Sequence, residues 1–80
     1  MKLPRDCSGE SLIGALRCLG YGVTRQSGSH VRVTTGVCGE HHITIPRHDP
    51  LRVGTLHAVL KDVADHHAMT MEDLVLRLRL

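Results

Sequence analysis

Arg25-Gln26-Ser27-Gly28-Ser29-His30, running directly into Val31-Arg32-Val33-Thr34, is the stretch whose reading decides the fold. Ser27-Gly28-Ser29 is a polar turn, and its glycine permits a positive φ and the close approach of a second backbone. Beyond the turn, Val31 and Val33 alternate with His30, Arg32 and Thr34, the period of a strand with one buried face. The histidine therefore stands at a strand entrance, on the polar side. Such a placement suits acid–base chemistry, because an imidazole ordinarily titrates close to neutrality.

On the N-terminal side, Tyr21 to Gln26 reads as extended, with Tyr21, Val23 and Arg25 on one side and Thr24 and Gln26 on the other. On the C-terminal side, residues 35–40 carry two glycines and form a hairpin loop. His41 to Pro46 follows as a strand, with Ile43 and Ile45 inward, His42 and Thr44 outward, and Pro46 as its stop. Keeping all inward residues on one face restricts the register to steps of two. The most compact choice, with a three-residue first turn, sets Val23, Val33 and Ile43 side by side. It lines up Gln26, His30 and Pro46 on the outer face and brings Arg47 and His48 beside His30.

The flanks are helical. Ser8 is an N-cap candidate with Glu10 in the first turn, and Leu12, Ile13, Ala15, Leu16 and Leu19 share one face until Gly20 ends the helix, giving residues 8–19. A second helix runs from Val53 to Ala64 or a turn beyond, burying Leu56, Val59, Leu60 and Val63. A third opens at Thr70, with Asp73 three residues on, and carries Met71, Leu74, Val75 and Leu78. The order α-β-β-β-α with a short final helix predicts an α+β fold: one domain over 1–80, an antiparallel three-stranded sheet, helices on one face.

Composition narrows the function. Ten Lys and Arg against eight Asp and Glu leave a charge of +2, too little by itself to define a nucleic-acid binder. One Tyr and no Phe or Trp leave no platform for stacking unpaired bases. There is no signal-like apolar segment after Met1 and no run of the about 20 apolar residues that span a bilayer, so a soluble cytoplasmic protein without a membrane partner is expected. Three cysteines in no disulfide pattern fit a reducing compartment. Cys18 is expected to pack against the core and Cys7 to be exposed. His57, His66 and His67 are expected on the exposed or edge side of the long helix. Cys38-x2-His41, with His42 adjacent, has the local spacing of half a zinc site, and His66-His67 is the other half on offer. No C-x2-C is present, and strand alternation sends His41 and His42 to opposite faces, so neither a metal nor another cofactor is expected.

Taken together, several motifs in order resemble the HicA toxins, the mRNA interferases of HicA–HicB toxin–antitoxin pairs (YcfA-like proteins). They are Lys2-Leu3-Pro4-Arg5-Asp6 with Ser8-Gly9, Leu16-Arg17-Cys18-Leu19-Gly20-Tyr21, Arg25 through His30, Ile45-Pro46-Arg47-His48, Gly54-Thr55-Leu56, and Met71-Glu72-Asp73 after a helix. The chain departs from the pattern at Ser27, where a lysine is expected. The resemblance implies a double-stranded-RNA-binding-domain-like fold, ribosome-independent cleavage of mRNA, one catalytic histidine at His30, and inhibition by a HicB-type antitoxin. DNA is not an expected partner of the chain by itself.

On this reading His30 acts as general base or acid, and the Gly28-Ser29 turn lets backbone approach a phosphate. Arg25, Arg32 and Arg47 hold phosphate oxygens. His48 is either a second proton-transfer group or a surface charge. The alternatives from the same residues are a non-catalytic RNA-binding module and a subunit whose sheet face docks a protein.

Overall fold

A computed structural model describes residues 3–80 of the chain. In chain order the elements are α1 (Gly9–Leu16), a 3₁₀ turn (Arg17–Leu19), β1 (Gly22–Ser27), β2 (His30–Thr35), β3 (His41–Pro46), α2 (Val53–His66) and α3 (Met71–Leu78). The strands form one antiparallel sheet in the order β1-β2-β3. This is the α+β arrangement expected from the alternation of periods. Lys2, the first residue of the opening motif, lies outside the described residues.

Local chemistry starts the helices where the sequence places them. Ser8 Oγ accepts from the Ser11 amide at 3.0 Å, and Thr70 Oγ1 accepts from the Asp73 amide at 3.1 Å, so each satisfies an amide that has no partner within its helix. Leu12, Ile13 and Leu16 of α1, Leu56, Leu60 and Val63 of α2, and Leu74, Val75 and Leu78 of α3 meet Val31, Val33, Ile43 and Ile45 from the sheet in one aliphatic core. None of the described helices is long and apolar enough to cross a membrane.

Where α1 enters the fold, its backbone lies against the segment after β3. The Gly9 amide donates to the His48 carbonyl at 2.9 Å, and the Leu51 amide donates to the Cys7 carbonyl at 2.8 Å. Cys7 is consequently buried, and burial, with Asp6 nearby, pushes its thiol pKa up. Cys18 is exposed. Both cysteines thus reverse the expectation. Helical spacing accounts for Cys18: at about 100° per residue it falls on the side opposite Leu12, Leu16 and Leu19.

The first hairpin also differs from expectation. Its turn has two residues, not three: Ser27 pairs with His30 across Gly28 (φ +58°) and Ser29, the glycine-first pattern of a II′ turn. A β-bulge between Val23 and Arg25 absorbs the change, so Val23 still faces Val33 and Val33 faces Ile43. Ser27 thereby replaces Gln26 in the outer row with His30 and Pro46. Val23 is 51% exposed, because β1 is an edge strand that the helices leave uncovered.

A polar clasp joins the sheet to the end of α2. Tyr21, only 2% exposed, places its hydroxyl 2.6 Å from His41 Nδ1 and 3.2 Å from His67 Nε2, and His41 Nε2 lies 3.1 Å from Asp62 Oδ1. For neutral rings one proton assignment satisfies all three contacts. His41 Nε2–H donates to the carboxylate, the tyrosine O–H donates to His41 Nδ1, and His67 Nε2–H donates to the tyrosine oxygen. Burial, with Asp62 nearby, pushes the Tyr21 pKa up to about 12, so the hydroxyl keeps its proton. His66 stacks on His41 at 4.2 Å between centroids, and its Nε2 reaches the Val37 and Gly39 carbonyls of the β2–β3 loop. His67 is therefore buried rather than on the exposed side of the helix. The histidine nitrogens are directed at Tyr21, Asp62 and loop carbonyls, and no group of three or more His, Cys, Asp or Glu side chains is arranged to hold a metal ion among the described residues.

The clasp makes stability depend on pH. Burial lowers the His67 pKa below its usual 6.5, reinforced by His66, His41 and Arg77. The unfolded chain therefore takes up this proton first. The stability contributed by neutral His67 is complete above pH 6.5 and falls as pH drops from there through the folded-state value. Urea unfolding is expected to show a lower midpoint at pH 5 than at pH 7.5. In His67→Gln, whose amide still donates to Tyr21 but does not titrate, the gap between the two midpoints is expected to narrow.

Candidate functional site

The exposed face of the sheet carries a shallow groove of about 420 Å³ lined by Arg25, Ser27, His30, Arg32, His42 and Thr44. It exists because residues 30, 32 and 34 of β2 and 42 and 44 of β3 point away from the core, while their odd-numbered neighbours are largely buried. His30 lies at the mouth of the first turn, opposite Pro46. Its ring is exposed and makes no hydrogen bond among the described residues.

Arg25 reaches this face through the bulge. Simple alternation assigns it to the side of Val23, but the bulge changes the parity and sets Arg25 directly across from Arg32. Like charges directly opposite on adjacent strands destabilise a sheet, by up to about 1 kcal/mol. Neither arginine has a carboxylate partner among the described residues. The pair therefore gathers uncompensated positive charge beside the histidine, and an anion laid across it relieves the repulsion.

The other predicted residues fall around this centre. Gly28 and Ser29 form the turn, and the Ser29 carbonyl accepts from the Arg47 amide at 2.6 Å, fixing the segment after β3 against the His30 end. The Arg47 guanidinium is ion-paired with Glu10, a partner the sequence alone did not suggest because it comes from the first turn of α1. Both groups are substantially exposed, and such pairs contribute only about 0–1 kcal/mol, so a phosphate can take the carboxylate's place. His48 contributes its carbonyl to Gly9, while its ring is exposed and unbonded among the described residues. The structure thus brings Arg25, His30 and Arg32 into one groove, while Arg47 and His48 follow β3 and are not among the residues that line it. The arrangement can bind a phosphate-bearing polyanion and exchange a proton with it.

A small α+β domain with one bare, basic, histidine-bearing sheet face is the class that fold and groove define. A family model described as "HicA toxin of bacterial toxin-antitoxin" matches residues 9–64. The chain belongs to the HicA toxin family and has the role of a toxin in a toxin–antitoxin pair. Comparison with curated proteins and with solved structures finds no match.

Proposed function

We propose that this toxin is a ribosome-independent mRNA endonuclease that cuts without a metal ion and uses His30 as its general acid or base. The observation that carries the reading is the Arg25–Arg32 pair, two cations set face to face beside an exposed imidazole, with no carboxylate partner among the described residues. Such a site favours a ligand with closely spaced negative charges, and an RNA strand supplies them.

In the reaction, the ribose 2′-oxygen loses its proton and attacks the adjacent phosphorus. The P–O2′ bond forms as the P–O5′ bond breaks, and the departing 5′-oxygen gains a proton. Histidine performs either transfer near neutral pH. Arg25 and Arg32 hold the non-bridging oxygens as charge accumulates on them, and Arg47 joins once Glu10 releases it. His48, next along the chain from Arg47, either contacts the strand or supplies the second proton transfer. A HicB-type antitoxin inhibits by covering His30 and bringing carboxylates to the arginines, the same complementarity that RNA exploits.

The purified chain, incubated with mRNA in the presence of a chelator and without ribosomes, is expected to cut it. Intact mRNA under those conditions, with cutting restored by ribosomes or by a divalent ion, would refute the proposal.

A further inference from the structure

The groove extends beyond His30 to a second histidine for which the reaction above has no use. His42 faces Thr34 across the β2–β3 pair, and Thr44 faces Arg32. Outward residues on β2 recur every second position, about 6.8 Å apart, comparable to the spacing of successive phosphates along a nucleic-acid strand. His30, Arg32 and the Thr34–His42 pair thus form a row of polar positions in step with such a strand.

The His42 ring is held in one orientation. Its Nδ1 lies 2.7 Å from Thr34 Oγ1, which in turn lies 2.9 Å from Thr24 Oγ1, so a hydrogen-bond chain crosses all three strands. Its Nε2 lies 3.3 Å from a Glu40 carboxylate oxygen. With Thr24 donating to Thr34 and Thr34 to Nδ1, the ring proton sits on Nε2, and the Glu40 carboxylate lies near it as an ion-pair contact without a formed hydrogen bond. The group across Nε2 is a side chain 74% exposed, at a contact longer than a strong charge-assisted bond. An exposed pair of this kind contributes little, so a competing phosphate displaces it readily.

We propose that His42 forms a second phosphodiester subsite, about two strand steps from His30, which Glu40 occupies until RNA replaces its carboxylate. The proposal rests on the RNA-cleavage reading and adds to it a contact that acts on binding and not on proton transfer. Glu40 then sets a threshold. Flexible single charges are poor competitors for the site, whereas a strand already held at Arg25 and Arg32 presents its next phosphate at high local concentration.

The test uses the full chain and a 2′-O-methyl RNA oligonucleotide, which binds but has no 2′-hydroxyl to react. Its affinity is measured by fluorescence anisotropy at fixed salt. His42→Ala is expected to weaken binding by about two- to tenfold and Glu40→Gln to tighten it within the same range. In the double variant the gain from Glu40→Gln is expected to vanish. In parallel cleavage assays with ordinary RNA, both single variants are expected to change KM and leave kcat close to the wild-type value. Equal affinity in all four proteins, or a loss in both single variants, would overturn the subsite while leaving the nuclease reading intact. A wild-type chain that neither binds the oligonucleotide nor cuts RNA would remove both.

Discussion

His30→Ala is expected to lower the rate of RNA cleavage by about 10²–10⁴-fold, the usual contribution of a positioned acid or base, while leaving the fold unchanged. Both halves follow from where the ring sits. It is exposed at the turn end of β2 and holds no hydrogen bond among the described residues, so its removal leaves no buried group unpaired and opens no cavity. The arginines beside it remain, and RNA affinity is expected to stay within a few fold of wild type. The loss therefore appears in kcat. Unchanged urea midpoints together with a collapsed kcat are the expected pair of results. His48→Ala separates the two roles open to that residue: a comparable loss of kcat marks a proton donor, and a change confined to KM marks a surface charge.

Gly9→Ala is expected to destabilise the fold by about 1–3 kcal/mol, as over-packing does, although alanine is normally the better helix former. A Cβ at position 9 would lie 2.1 Å from the Pro46 carbonyl oxygen and 3.0 Å from the Arg47 Cα, both backbone atoms that no rotamer change can move aside. Relief requires α1 and the segment after β3 to separate. That motion strains the Gly9–His48 hydrogen bond and displaces Arg47, whose amide is fixed to the turn carrying His30. Activity is expected to fall with stability for this reason. Gly14→Ala provides the contrast of opposite sign. No atom lies within 4 Å of its added Cβ, so helix propensity alone operates and stability is expected to rise by about 0.5–1 kcal/mol. Urea unfolding of the two variants beside wild type measures both effects.

The parts of the fold that were legible in the sequence are those in which local pattern and tertiary burial agree. The alternation through Val31 and Val33, and through Ile43 and Ile45, specified two strands and the outward placement of His30, Arg32, His42 and Thr44. Ser8 and Thr70 specified helix starts through their own hydroxyls. What the pattern missed depends on non-local contacts or on breaks in period. The bulge after Val23 costs nothing in the core because β1 is exposed throughout, so no buried residue records the change of parity that brings Arg25 to Arg32. Cys7 is buried by a chain segment more than forty residues away, through the Leu51 amide. His67 lies past the last apolar position of α2 and becomes internal only because Tyr21 meets it. The Glu10–Arg47 pair likewise appears only once α1 is set against the end of β3.

The role of the sheet's outer face is tested most directly by following backbone amide resonances while the 2′-O-methyl RNA is titrated into the ¹⁵N-labelled chain. Shifts concentrated at Arg25, Gly28–Arg32, His42 and Thr44, with α2 and α3 unmoved, are the predicted result. Shifts confined to α2 and α3, or none at concentrations where the chain cuts RNA, would contradict it.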